Sequence, residues 1–130
     1  MKLRIFNNYG DRIGVEMMRI LLIANTIFEV GVGIVFIFFP TLVIKDSALS
    51  ISLLQIIGCG ALAFGTLSFL MLKMTDFKSL QPGLITLSIF HTGAAISQLY
   101  GLTNGTASIP VIIAHSLFAL SFIGVFWQQL

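Results

Sequence analysis

With 130 residues, 57% of them hydrophobic and only 9% charged, the chain has too few charges to clothe a water-soluble domain, which ordinarily carries about 25%. Its mean hydropathy of +1.02 makes lipid the expected solvent for most of its surface. A net charge of +2 without a basic tract excludes a nucleic-acid partner. The single Cys59 excludes a disulfide within the chain.

Residues 1–16 mix Lys2, Arg4, Asp11, Arg12 and Glu16 with Leu3, Ile5, Phe6, Tyr9 and Ile13. This pattern reads as a short, amphipathic, interfacial segment broken at Gly10. A secretory signal would join a short apolar core to a small-residue cleavage site. Here the first apolar run lasts about 20 residues, enough to cross a bilayer, and ends in Phe38-Phe39-Pro40. A retained span is expected over about 17–39, closed by the residue before Pro40, which is driven out of helical geometry.

A loop with Lys45 and Asp46 follows, and Ser47 or Ser50 is placed to cap the next helix. The second span, about 50–72, is rich in small residues. Its Ala61 and Gly65 are spaced for close helix approach in lipid. A second loop carries Lys73, Asp76 and Lys78. From there to the end the chain has no Asp, Glu, Lys or Arg. Two spans fit, about 82–101 and 109–129. Pro82 and Pro110 fall in their first turns, and Ser108 is an N-cap. Asn104-Gly105-Thr106 reads as a tight turn. Gly93, Ser97 and Gly101 make a second small face, while Tyr100 and Trp127 suit interfacial anchoring.

The expected fold is therefore all-α: one integral membrane domain, a four-helix up-down-up-down bundle with short antiparallel connections. Lys2, Arg4, Arg12, Arg19, Lys73 and Lys78 lie on one side and Lys45 on the other. That asymmetry places both termini in the cytoplasm, with the protein in the cell (inner) membrane. The two small faces exceed the needs of one bundle, so a homo-oligomer or a larger membrane complex is expected.

Three segments carry a resemblance. They are Gly31-Val32-Gly33-Ile34-Val35-Phe36-Ile37-Phe38-Phe39-Pro40, then Gln55 to Gly65 with its glycine steps, then Gln98-Leu99-Tyr100-Gly101. In these the chain resembles the small four-span bacterial membrane proteins grouped as DoxX-like. The resemblance implies a four-helix bundle and a partner from a respiratory or redox enzyme, and carries over no catalytic residue. Phe28-Glu29-Val30 is also similar to the first span of the small multidrug transporters, which are proton-coupled. This chain departs from them in lacking a Trp-rich third span.

Glu29 is the only charged residue between Arg19 and Pro40. A carboxyl group there must find a partner, stay protonated or face water, which makes it a functional candidate. Counting about 1.5 Å per residue from Pro40 and Gly101 puts Glu29 and His91 near the midplane, roughly 15–16 Å below the outer boundary. His115 and Gln55 come out higher, about 8 Å below it. Asn25 shares a helix face with Glu29, and Gln98 shares one with His91.

Asn25, Glu29, Gln55, His91, Gln98 and His115 are thus expected to line a polar pocket for a proton or a small neutral or lipophilic ligand. The alternative is a structural or accessory subunit in which these groups only hold helix register. A third possibility is a small multidrug-type proton-coupled transporter. The five-residue offset of His91 and His115, about 7–8 Å, argues against a shared haem. Glu29, His91 and His115 have metal-ligand chemistry but no ligand-spacing motif, so no metal is assigned. Cys59 reads as a buried, inert thiol. No nucleophile-base set, phosphate loop or paired carboxylates can be assembled, so no enzyme is expected.

Overall fold

The computed structural model describes residues 8–128, with side chains from Gly14 onward. Lys2 and Arg4, and with them the start of the expected interfacial segment, lie outside the described residues. All five elements are helices: α1 (Asn8–Phe38), α2 (Pro40–Val43), α3 (Ala48–Met71), α4 (Phe77–Thr103) and α5 (Ile109–Gln128). The break expected at Gly10 does not occur, because α1 runs through it. One glycine costs a helix only about 1 kcal/mol, which a helix of this length absorbs.

Local chemistry sets the helix ends. Phe39 leaves helical geometry at φ −130°, ψ 42°, and Pro40 opens the single turn α2. Ser47 caps α3 by accepting the Ser50 N–H at 3.2 Å. The Ser50 hydroxyl donates to Asp46 at 2.7 Å, and with the Ser47 backbone N–H it holds that exposed carboxyl below its ordinary range.

The start of α4 differs from expectation. Asp76 accepts the Ser79 N–H at 3.0 Å, so the helix begins at Phe77 and Pro82 lies inside it rather than in its first turn. The missing proline N–H removes the intrahelical donor to the Lys78 carbonyl. One turn on, the Thr86 hydroxyl donates to the Pro82 carbonyl at 2.8 Å.

Among the described residues, three helical segments are long and apolar enough to cross a membrane: Gly14–Phe38, Ala48–Met71 and Ile109–Gln128. With 27 residues α4 has the length, but its Ser, Thr, His and Gln residues make it more polar, and it is not one of the three. Large apolar side chains such as Ile27, Ile56, Ile89 and Leu120 are exposed. Apolar exposure on that scale suits lipid. Hydroxyls on the helices are satisfied locally, as where Thr26 and Thr66 donate to carbonyls one turn back.

The chain divides into two compact units, one comprising residues up to Leu21 with those from Asp76 onward, the other Leu22–Thr75. In the Leu22–Thr75 unit, α1 and α3 meet along glycines. A Cβ added to Gly33 would stand 2.9 Å from the Gly58 carbonyl oxygen and 2.6 Å from Leu62 Cγ. One added to Gly58 would stand 2.9 Å from Phe36 Cβ, and one on Gly65 3.1 Å from the Val30 nitrogen. Gly58, Ala61, Gly65 and Ser68 form the buried stripe of α3.

In the other unit α4 and α5 form a hairpin. It turns where the Thr106 N–H bonds the Gly101 carbonyl at 3.0 Å and the Gly105 N–H bonds Leu102 at 3.4 Å. This is the six-to-one, five-to-two Schellman pattern, with Gly105 at φ 67° in the left-handed position that glycine takes without strain.

Candidate functional site

Among the described residues, each unit holds a buried polar centre. In the Leu22–Thr75 unit, Asn25 and Glu29 lie one turn apart on α1, 0% and 1% exposed. Asn25 Nδ2 donates to Ser68 Oγ at 2.8 Å, across the glycine seam. Gly65 brings α3 close to the Glu29 stem, where an added Cβ would lie 3.3 Å from Glu29 Cβ. Ser68 was not singled out from the sequence. Its signal was its place on the helical stripe that begins at Gly58, where a hydroxyl replaces the small apolar residue.

The other centre is a histidine pair. His91 Nδ1 and His115 Nδ1 are 2.8 Å apart, and His91 is fully buried. The expected offset of 7–8 Å between them is therefore corrected. Counting from Gly101 and Pro110 took those two residues as level, whereas Gln98, three residues before Gly101, faces Ser108, two residues before Pro110. The register is set by the Ser108 N–H, which donates to Gln98 Oε1 at 3.1 Å. His91 stands seven residues before Gln98 and His115 seven after Ser108. Each is thus about 10–11 Å along its helix from that bond, and the two are level.

Aromatic rings enclose the pair. Phe118 and Phe122 stack on the His91 ring at 4.9 and 5.7 Å, and Phe90 meets His91 and His115 edge-on at 5.0 and 5.7 Å. The depth argument against a haem falls with the offset. The direct contact of the two imidazoles replaces it, since no macrocycle fits between nitrogens at hydrogen-bond distance. A bond between two Nδ1 atoms requires one ring to carry its proton there and the other to offer a lone pair.

The two glutamines have backbone partners at helix ends. Gln55 is exposed, and its Nε2 donates to the Ile37 carbonyl at 3.1 Å, near the end of α1. Gln98 accepts from Ser108, as above. Cys59 is exposed, contrary to the expectation of a buried thiol, because the seam with α1 takes the neighbouring Gly58 and turns Cys59 outward.

Among the described residues the structure thus defines an all-helical protein with three helices long and apolar enough to cross a membrane and buried polar side chains in each unit. The chain matches no protein-family model, no curated protein and no solved structure.

Proposed function

We propose that the protein is a four-span integral membrane protein of the DoxX-like kind, a binder rather than an enzyme. Its buried polar centres take up a proton or a small neutral or lipophilic molecule, and both termini lie in the cytoplasm. The observation that carries this reading is Glu29, a carboxyl group 1% exposed in the middle of an apolar helix. Ionisable groups at such positions are costly and mark sites of ligand or proton handling. Asn25 and Ser68 supply neutral hydrogen-bonding groups beside it on the same seam.

Calorimetry of the protein in nanodiscs with a short-chain benzoquinone, across pH, tests the reading. The parent should bind with a pH-dependent affinity. Glu29→Gln, which keeps shape but cannot titrate, should lose that dependence. Binding and pH response untouched by the substitution would leave Glu29 a purely structural residue.

The second reading, an accessory subunit of a larger membrane complex or a homo-oligomer, is favoured by α4. Gly93 and Ser97 are exposed there, and a Cβ at Gly93 would meet nothing within 4 Å. A close helix partner fits such a surface. A single monomeric species in nanodiscs would count against it.

A further inference from the structure

We infer that residues 38–43, which connect α1 to α3, form a lipid-binding surface seated at the boundary between headgroups and acyl chains, rather than a loop in water. This rests on the reading of the protein as membrane-spanning and assigns a partner to a segment that reading leaves open. Every residue in the argument belongs to the Leu22–Thr75 unit.

The two helices that the segment joins end at different heights. Gly58 faces the end of α1, where an added Cβ would stand 2.9 Å from Phe36 Cβ and 2.9 Å from Ile37 Cγ1. Beyond Phe36, α1 has two residues left, to Phe38, whereas α3 begins ten residues before Gly58, at Ala48. The difference of eight residues (10 − 2) carries α3 about 12 Å past the end of α1. Across that height runs α2, which touches α3 yet has no buried residue.

The side chains of the segment suit lipid. Phe38, Phe39, Leu42 and Val43 are exposed, Leu42 by 79%, and no charged residue occurs between Glu29 and Lys45. The exposed apolar surface continues without a polar break onto Val35 of α1 and Leu53 of α3. Polar groups gather higher, at the start of α3, where Asp46, Ser47 and Ser50 bond one another. With that cluster among the headgroups, the end of α1 lies close to the roughly 5–10 Å depth at which apolar faces of interfacial segments settle.

The backbone suits lipid as well. At a helix end in water, free carbonyls can bond solvent, but in lipid the protein must supply the donors. Val35 accepts the Phe39 N–H at 2.9 Å, Phe39 the Leu42 N–H at 3.0 Å, and Pro40 the Ile44 N–H at 3.0 Å. An unbroken helix would pair the Ile37 carbonyl with the Thr41 N–H. The helix breaks at Phe39, and Gln55 Nε2 donates to that carbonyl instead, at 3.1 Å. A side chain from α3 thus stands where water would serve an aqueous helix end.

The test uses the full chain in phosphatidylcholine vesicles containing lipid brominated near the top of its acyl chains, with Trp127→Phe as background. Leu42→Trp and Phe39→Trp each place one tryptophan on the segment, and Ile56→Trp, at an exposed position of α3, reports the span itself. Both segment tryptophans should lose most of their emission to the brominated lipid and be shielded from aqueous iodide, as Ile56→Trp is. Iodide quenching of either as strong as that of free N-acetyltryptophanamide, with Ile56→Trp still quenched by lipid, overturns the inference and leaves the span standing. Weak quenching by both agents also overturns it, because a second copy or a partner chain then covers the segment. Failure of the brominated lipid to quench Ile56→Trp removes the membrane reading, and this inference with it.

Discussion

Gln98 Oε1 accepts the backbone N–H of Ser108 at 3.1 Å, and this bond fixes the level at which α4 and α5 face each other. Two turns further down each helix, the same register brings the two histidines together. A side chain ten positions upstream therefore does the work usually left to a cap, tying the first residue before α5 to the last turns of α4.

Gln98→Leu should cost about 1 kcal/mol, the net worth of a typical hydrogen bond. It should also speed exchange of the Ser108 amide and weaken the scalar coupling across the histidine nitrogens. Gly105→Ala, at φ 67°, should add about 1–2 kcal/mol of backbone strain. Hydrogen exchange and nitrogen NMR read both effects.

Alanine at Gly58 or Gly33 should destabilise the protein by roughly 1–3 kcal/mol, the usual cost of overpacking. Backbone or β-carbon atoms lie 2.9 Å from the added carbon at both positions and cannot rotate away. At Gly31 and Gly60 an added Cβ meets nothing within 4 Å. Alanine there should be neutral or stabilising by up to about 1 kcal/mol through helix propensity. Denaturant titration in mixed micelles separates the two pairs, and equal effects at all four would refute the seam.

Ser68→Ala should cost about 0.6–2 kcal/mol, as for interhelical hydrogen bonds in membranes. A double-mutant cycle with Asn25→Leu should return a coupling in that range. A coupling of zero would mean that the 2.8 Å contact contributes nothing to stability.

The cap on α4 should respond to acid. The Ser79 hydroxyl and then the Ser79 backbone N–H hold the exposed Asp76 carboxyl below its ordinary range. A depressed carboxyl contributes stability fully above its unfolded pKa and loses it as pH falls through the lower folded value. The Ser79 amide resonance should therefore titrate with a midpoint below that of an ordinary aspartate. Asp76→Asn should abolish the titration and still start the helix at Phe77, because asparagine caps as well as aspartate. A midpoint at the ordinary value would remove the bond from the folded state.

What could be read in advance was local. Pro40 announced the end of α1, Ser47 or Ser50 the start of α3, of which the structure takes Ser47, and the Asn104-Gly105 turn the hairpin, because each depends on a few neighbouring residues. The start of α4 was misplaced, since the charge of Lys78 suggested loop while Asp76 was the capping group. The histidine level was missed for a related reason. A count from both helix ends adds the error of each end, whereas register depends on one bond that composition does not reveal. Ser68 was not legible because a neutral hydroxyl on an apolar helix carries weight only through its place on the seam. Of the two small-residue faces, the stripe at Gly58, Ala61 and Gly65 packs within its unit, while Gly93 does not.

The seam that draws Gly58 inward also points the chain's one thiol away from it. Cys59 sits near the middle of α3, so the protein carries a native reporter at a known height on a candidate membrane helix. A membrane-permeant maleimide should reach it where a charged, impermeant one does not. A spin label attached there would be quenched by oxygen dissolved in lipid more than by a water-soluble paramagnet. The immersion of α3 is thus measurable in the parent protein without engineering a cysteine into it.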